Sequence, residues 1–262
     1  MAILDQFSLN KKTALLTGGA GLFGKHITAA LAEAGANTFI ASRNVEALEQ
    51  VAMKHRDNGH QVTALQMDQG DENSIKNARD KILQATGRID ILVNNAVSRP
   101  MTQGWDDDAA LFDQSMHINA TGLFMVTRAI AKTMESQKSG SVINIGSMMG
   151  MVGVEPDNYL NIPEEAHGWH PDYFFHKGGM INFTRFCASY LGQFGARCNC
   201  VSPGGYHFQQ SDEFVARYSK RTQLGRMAND TDIKGIIVFL ASDASAYITG
   251  TNIPVDGGYT AK

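Results

Sequence analysis

The chain has 262 residues, of which 43% are hydrophobic and 19% charged, and this composition excludes a disordered, collagen-like or disulfide-dense protein. Its 23 Lys and Arg stand against 26 Asp and Glu, so the net charge of -3 gives no field that would hold nucleic acid. Because the sequence shows neither a secretory signal nor an apolar stretch that would span a membrane, we expect a cytoplasmic protein.

Short apolar runs alternate with stretches of helical period along the whole chain. Strands are predicted at 13–16, 38–41, 62–67, 89–93, 141–145, 197–201 and 252–255. Helices are predicted at 22–34, 45–55, 72–85, 109–135, 173–191 and 231–240. Strands that are apolar on both faces and joined by helices predict a doubly wound, Rossmann-type α/β fold. We therefore expect one domain over residues 1–262, with a seven-stranded parallel sheet and helices on both faces.

Two segments interrupt this rhythm. Residues 148–172 show no clear period, and residues 203–226 follow the sixth strand in the same irregular way. Both follow the carboxyl ends of strands, where open α/β sheets bind their ligands. We interpret the first segment as an inserted substrate loop and the second as an irregular lid.

A glycine-rich turn follows the first predicted strand. Gly19, Gly21 and Gly24 form a GxGxxG pattern that opens the first helix. Such a turn brings a pyrophosphate close to the positive end of the helix. The alternative is a turn that is rich in glycine only for steric reasons. The pattern predicts cofactor contacts at four residues of the loop, namely Gly18, Gly21, Phe23 and Gly24.

The end of the second strand indicates which cofactor is used. A site for NAD normally has an acidic residue here, which accepts hydrogen bonds from the ribose. This chain has Ser42 and Arg43 instead, and a guanidinium with a hydroxyl can bind the 2'-phosphate of NADP. We therefore predict that NADP(H) is preferred and that NAD(H) remains possible. The alternative is that Arg43 is a solvated residue at the start of a helix.

Tyr173 and Lys177 are four residues apart and so share one face of a helix. Ser147 follows the fifth strand, and Asn119 lies in the long helix after the fourth. Further motifs occur in a fixed order along the chain, namely TGGAGLFG from Thr17, Asp68, Asn94-Asn95-Ala96, Ser202-Pro203-Gly204 and Val255-Asp256-Gly257-Gly258. In these motifs the chain resembles the short-chain dehydrogenase/reductase family, in its compact single-domain branch, almost from end to end.

The resemblance implies a catalytic role for four residues. Tyr173 would be the acid/base that exchanges a proton with the substrate oxygen. Ser147 would polarise that oxygen, and Lys177 would lower the pKa of the phenol and hydrogen-bond the nicotinamide ribose. Asn119 would hold a water that links Lys177 to solvent. A structural origin for each of these residues is the alternative.

The resemblance also implies further contacts with the cofactor. Asn95 and Ala96 would line its channel, Asp68 would accept from the adenine amine, and the backbone of Pro203 and Gly204 would lie against the nicotinamide. Asp68 has the alternative role of a helix-capping acid.

The predicted activity is the interconversion of a secondary alcohol and a ketone. The polar insertion favours a sugar-like or polyol substrate, as in gluconate 5-dehydrogenases and the oxidoreductases of bacterial surface or flagellar sugars. Ser147 and Tyr173 would contact it, together with three residues of the irregular segments, Met149, Trp169 and Gly205. The alternatives are a β-ketoacyl-type reductase and a cofactor-binding protein without turnover.

Two departures from the family pattern matter for these assignments. Ser147 and Tyr173 are 26 positions apart, about twice the usual interval, so the loop must fold over the site without displacing Ser147. The phosphate loop has Leu22 where the compact branch usually has glycine, and it resembles the TGxxGxxG variant of the extended branch.

Metal binding and oligomerisation complete the predictions. We expect no metal site, although His167 and His170 with Glu164 and Glu165 include ligand types. By resemblance we expect a homodimer or homotetramer, formed through helices rich in apolar residues that include Phe124, Val126, Phe183, Phe186 and Tyr190.

Overall fold

A seven-stranded, fully parallel sheet forms the centre of the protein in the computed structural model, which describes residues 2–162 and 169–261. Its strands are β1 (Thr13–Thr17), β2 (Asn37–Ser42), β3 (Val62–Gln66), β4 (Ile91–Asn94), β5 (Gly140–Ile145), β6 (Ala196–Pro203) and β7 (Asn252–Val255). They lie in the order β3-β2-β1-β4-β5-β6-β7, and the predicted doubly wound fold is confirmed. The order reverses between β1 and β4, and ligands of such sheets bind at this switch point.

Helices cover both faces of the sheet. They are α1 (Gly24–Glu33), α2 (Val45–Arg56), α3 (Glu72–Thr86), α4 (Ala109–Met116), α5 (Leu123–Gln137), α6 (Pro171–Gly192), α7 (Asp212–Arg221) and α8 (Lys234–Ala241). Leu16 packs with α1, α2 and α8, whereas its neighbour Leu15 packs with α3, α5 and α6, because successive strand residues face opposite sides. No helix in the described ranges is long and apolar enough to cross a membrane.

The helix predicted over 109–135 is two helices. A π-helical turn, His117–Gly122, separates α4 from α5 and contains the buried Asn119. The Gln69 amide donates to the Ile118 carbonyl across 2.9 Å, which satisfies a backbone group in this widened turn. A Cβ on Gly122 would lie 2.7 Å from the Gln69 carbonyl oxygen, so this approach requires glycine.

The prediction that the segment 203–226 is irregular is wrong for part of its length, because the segment contains α7. The hydroxyl of Ser211 accepts from the Phe214 amide at the start of this helix, and Phe214 and Tyr218 are buried one turn apart. Their partners come from distant parts of the chain, but the helix itself left a signal in the sequence, because Ser211 and two acidic residues precede apolar residues at four-residue spacing. The resulting small cluster, which we call the lid cluster, contains Met148, Ile162, Phe214, Tyr218, Met227 and Tyr259.

The described part of the substrate loop packs onto the lid. It contains two 3-10 turns, Met148–Gly150 and Pro156–Tyr159. The Asn158 amide donates to the Tyr259 hydroxyl across 3.0 Å, and Arg221 pairs with Asp157. The two segments that follow β5 and β6 therefore form one structure at the carboxyl edge of the sheet.

Candidate active site

The phosphate loop has the geometry that a close ligand requires. Gly18 has a φ of 71°, and its amide donates to the Ala41 carbonyl across 2.7 Å. A Cβ on Gly24 would lie 2.0 Å from the Gly18 carbonyl oxygen, so a side chain cannot be accommodated where α1 begins. A Cβ on Gly21 would meet only that same oxygen, at 3.2 Å. Gly21 is exposed, and its open surface fits the approach of a phosphate to the amino end of α1.

Neighbouring loops hold this turn in place. The Asn95 amide donates to the carbonyls of Thr17 and Gly18 at 3.1 and 3.0 Å, and the backbone amide of Ala96 donates to the Thr17 hydroxyl. The Asn95 side chain therefore braces the loop from the end of β4. Phe23 caps α1 at its start, and its ring packs edge-on against Tyr206 with centroids 5.5 Å apart.

The residues predicted to select the cofactor lie at the ends of two adjacent strands. Ser42 ends β2, and its hydroxyl donates to the Asn44 carbonyl across 3.2 Å. Arg43 is exposed, and no carboxylate of the described residues forms an ion pair with it. Asp68 follows β3, and its Oδ1 accepts from the Gly70 amide at 2.8 Å. Its other carboxyl oxygen accepts none of the hydrogen bonds found among the described residues.

Tyr173 and Lys177 lie near the amino end of α6, where one helical turn brings them together. The Nζ atom of Lys177 lies 5.7 Å from the centroid of the Tyr173 ring and donates to the Ile145 carbonyl across 2.6 Å. That carbonyl ends β5, so the lysine fastens α6 to the sheet edge. The Lys177 side chain is only 3% exposed, and burial lowers the pKa of its ammonium group.

Ser147 remains beside Tyr173 despite the long insertion. It follows β5, is 7% exposed, and is close enough to the phenol for its hydroxyl to help lower the pKa of Tyr173. The 3-10 turn after it approaches α6 so closely that a Cβ on Gly150 would lie 2.6 Å from the Lys177 carbonyl oxygen. This glycine lets the turn pack on the helix and places the serine at the phenol.

Arg99 is a site residue that the sequence analysis missed. Its guanidinium carbon lies 4.4 Å from the centroid of the Tyr173 ring. Burial alone would raise the pKa of the phenol, but the charges of Lys177 and Arg99, with hydrogen bonds from Ser147 and Arg99, lower it. Arg99 stands three positions after Ala96 in a loop without periodicity, so no pattern in the sequence indicated its direction.

Asn119 is part of a buried hydrogen-bond network that reaches α6. Its Oδ1 accepts from the Ser98 amide at 2.8 Å, and its Nδ2 donates to the Ser98 carbonyl at 2.7 Å and to the Ser115 hydroxyl at 2.9 Å. The Ser115 hydroxyl in turn donates to the carboxyl group of Asp172. The network links α4, the π-helical turn and the loop after β4 to the residue that precedes Tyr173.

His176 is buried beside the catalytic candidates. It is 4% exposed, and its ring meets Tyr173 edge-on with centroids 5.3 Å apart. Burial, together with the positive charges of Lys177 and Arg99, lowers its pKa from 6.5 to about 3. The imidazole is therefore uncharged at neutral pH.

The remaining predicted contacts lie after the ends of β5 and β6. Pro203 ends β6, the Gly204 amide donates to the Val255 carbonyl across 3.0 Å, and a Cβ on Gly204 would lie 2.9 Å from the Asp256 Cα. Gly205 lines a cavity of about 420 Å³ next to the lid cluster. The amide of Met149 donates to the Ser147 hydroxyl, and the lid cluster packs on its side chain.

Trp169 contacts the described substrate loop, since its ring meets Tyr159 edge-on at 5.5 Å. His170 caps α6, whereas Glu164, Glu165 and His167 lie outside the described residues. Within the described ranges, no three His, Cys, Asp or Glu side chains converge in a way that would hold a metal ion.

Comparison with protein-family models gives one match across nearly the whole chain. Residues 20–260 match the family described as enoyl-(acyl carrier protein) reductase. The cyclopentanol dehydrogenase of Comamonas sp. (strain NCIMB 9872) is 32% identical over 260 residues, which cover 97% of this chain and 99% of that one. The 3-oxoacyl-(acyl carrier protein) reductase of Thermotoga maritima is 30% identical over 261 residues, which cover 95% and 98%.

Solved structures superimpose along the whole chain. A short-chain type dehydrogenase/reductase from Mycobacterium marinum has a TM-score of 0.88 and 32% identity and covers 100% of both chains. A gluconate 5-dehydrogenase from Burkholderia cenocepacia, in complex with NADP and tartrate, has a TM-score of 0.88 and 29% identity and covers 99% of both.

Proposed function

The chain belongs to the short-chain dehydrogenase/reductase family, whose members oxidise CH–OH groups or reduce the corresponding carbonyls, and from this premise we propose an NADP(H)-preferring enzyme that acts on a polar, hydroxylated substrate. The observation that carries the proposal is the convergence of Ser147, Tyr173 and Lys177 at the carboxyl edge of β5. These three residues, which the family motifs single out along the sequence, lie close together in the folded chain.

Each residue has a chemical task in the oxidative direction. Tyr173, as phenolate, takes the proton of the substrate hydroxyl, and Ser147 hydrogen-bonds the same oxygen. Lys177 holds positive charge near the phenolate, which is the form that burial disfavours. In the reductive direction, the phenol returns the proton to the substrate oxygen.

The phosphate loop fits a dinucleotide. Gly21 leaves open surface at the amino end of α1, while Gly18 and Gly24 form a turn in which a side chain would collide with backbone. The bound cofactor would supply hydride acceptance and donation at the carbinol carbon. Asp68 would hold the adenine, and Pro203 and Gly204 would line the nicotinamide pocket.

Preference for NADP(H) rests on Arg43. Its exposed guanidinium has no carboxylate partner among the described residues, so it remains available for a 2'-phosphate beside the Ser42 hydroxyl. The Burkholderia cenocepacia gluconate 5-dehydrogenase, which is similar over 99% of the chain, is described in complex with NADP and tartrate. This likeness supports both the cofactor and a hydroxylated polar substrate.

The test combines cofactor binding with turnover. NADPH and NADH are titrated by fluorescence, and NADP(H)-dependent turnover is then screened on polyols, hydroxy acids and their oxo forms. We expect NADPH to bind tighter than NADH, and Tyr173→Phe to lower kcat at least about 100-fold without weakening NADPH binding. Absence of binding by either cofactor, or full activity of Tyr173→Phe, would overturn the proposal.

A further inference from the structure

Arg99 presents an exposed cation directly beside the catalytic phenol. The guanidinium carbon is 4.4 Å from the Tyr173 ring centroid. Across residues 2–162 and 169–261, no carboxylate forms an ion pair with it. A guanidinium has five N–H donors, and one phenol oxygen can occupy only a minority of them. Donors therefore remain for a ligand that binds next to the phenol.

The two charged groups that act most strongly on Tyr173 are both positive. Lys177 and Arg99 are the charged groups that shift the pKa of Tyr173, and the same two groups lower the pKa of His176. No Asp or Glu of the described residues is among them. The whole chain carries a net charge of -3, so this positive centre is a local feature of the site. Such a centre attracts an anion and disfavours a cation.

The backbone next to Arg99 is held by hydrogen bonds to both backbone groups of Ser98. Asn119 accepts from the Ser98 amide and donates to the Ser98 carbonyl, which is the last group before Arg99. Because Asn119 is itself fixed by Ser115, the loop position is set before any ligand binds. A cation whose position is fixed before binding loses little conformational entropy when a ligand binds, which favours recognition of one particular group of that ligand.

We propose that Arg99 binds a carboxylate of the substrate, and that the substrate is a hydroxy acid whose carboxylate lies close to the reacting carbinol carbon. The proposal deepens the function proposed above and rests on it. A guanidinium pairs with a carboxylate through two parallel hydrogen bonds, a geometry that neither a hydroxyl nor a thioester carbonyl reproduces. Arg99 is therefore a specificity-determining residue, which distinguishes a sugar acid from the uncharged polyol of the same length.

Arg99 also lowers the pKa of Tyr173, so its loss affects every substrate through the phenol. This general effect is separated from recognition by comparing two substrates that differ only in charge. Four- to six-carbon aldonates are therefore assayed beside the polyols of equal length, such as gluconate beside sorbitol. Each enzyme is measured at the plateau of its own pH profile, where the phenolate is fully formed.

Arg99→Gln is expected to lower kcat/KM for the best aldonate about 30-fold more than for the matched polyol. The loss in Arg99→Lys is expected to lie between that of the parent enzyme and that of Arg99→Gln. Arg56→Gln is the matched control, because Arg56 pairs with Glu49 on α2. A readout that needs no turnover is calorimetric titration of the same aldonates into NADP-loaded Tyr173→Phe. We expect the aldonate to bind Tyr173→Phe, and we expect this binding to be lost in the double variant that also carries Arg99→Gln.

Two results would overturn the proposal while leaving the oxidoreductase function intact. The first is an equal loss on aldonate and polyol in Arg99→Gln, which would make Arg99 only an activator of the phenol. The second is NADP(H)-dependent, Tyr173-dependent turnover of uncharged compounds with no aldonate bound or converted. If no cofactor binds at all, the proposed function fails and this inference fails with it.

Discussion

The Ser115 hydroxyl donates to the carboxyl group of Asp172, which is 1% exposed and directly precedes Tyr173. The two residues are 57 positions apart and join α4 to α6. The other carboxyl oxygen of Asp172 is buried without a partner in the described structure, so the Ser115 hydroxyl is its main source of hydrogen bonding. The same hydroxyl accepts from Asn119, and through it α6 is coupled to the loop of Ser98.

Ser115→Ala should therefore weaken both the fold and the reaction. The substitution leaves buried groups of Asp172 and Asn119 without their partner, which costs about 1–3 kcal/mol of unfolding free energy. Because Asn119 then loses one of its contacts, we expect kcat to fall several-fold while NADPH affinity stays unchanged. Urea unfolding and steady-state kinetics measure the two effects.

Two variants make the result for Ser115 specific. Asp172→Asn keeps an oxygen that accepts from Ser115 and should be milder than Ser115→Ala. Ser136→Ala removes an exposed hydroxyl that bonds only the Lys132 carbonyl, and it should change neither quantity. A Ser115→Ala protein with unaltered stability and kcat would show that the network does not position the site.

Lys177→Met should move the pH profile of alcohol oxidation to higher pH. The ammonium group lowers the pKa of Tyr173, so its removal raises the pKa of the phenol, and more alkaline solution is needed to form the phenolate. We expect kcat at neutral pH to fall at least about tenfold. Lys177→Arg retains the charge and should move the profile less. An unmoved profile in Lys177→Met would mean that the lysine does not set the state of the phenol.

Much of this architecture is determined by local pattern. Strand β1 is a short, fully buried and mostly apolar run, and Gly18 and Gly24 of the phosphate loop stand at positions that admit no side chain. The four-residue spacing of Tyr173 and Lys177 is enough to place both on one turn of α6. These features were predictable because they depend on neighbours in sequence.

The features that the sequence analysis missed depend on distant contacts. Arg99 contacts Tyr173 from a loop that Asn119 holds at Ser98. The helix α7 is stabilised by packing of Phe214 and Tyr218 with the substrate loop and the chain end. The position of Arg99 leaves no period in the sequence, and the short period of α7 does not say which distant residues it packs against.

Arg43→Ala should separate the two cofactors. Loss of a charge-assisted contact with the 2'-phosphate costs about 1.5–3 kcal/mol, which corresponds to an increase of roughly 10- to 150-fold in the Kd of NADPH. NADH lacks that phosphate, so its Kd should change less than about threefold. Fluorescence titration gives both constants, with Lys54→Ala on α2 as the control for charge alone. Equal changes for NADPH and NADH would show that Arg43 does not contact the 2'-phosphate.

Exposed aromatic side chains on α5 and α6 support the predicted oligomer. Phe186 is 65% exposed, and Phe124 and Tyr190 are 42% exposed, whereas Val126 is buried in the core and cannot contribute as we expected. We expect Phe186→Ser to shift a homodimer or homotetramer toward smaller species at micromolar concentration in light scattering. Trp105→Ser, which changes an exposed aromatic outside these helices, should leave the mass unchanged. A monomeric parent protein would overturn the prediction.

The buried His176 should make the protein sensitive to acid. Its pKa is about 3 in the folded chain, below its ordinary value of 6.5, so between these values the unfolded chain binds a proton that the folded chain does not. The unfolding free energy therefore falls as the pH drops below about 6.5, by up to about 1.4 kcal/mol per pH unit. His176→Phe keeps an aromatic ring against Tyr173 and removes this titration. Between pH 7 and pH 5 it should lose about 2 kcal/mol less than the parent in urea unfolding, whereas His207→Gln, at an exposed position, should follow the parent. Parallel curves for parent and His176→Phe would show that His176 becomes protonated within the folded protein at these pH values.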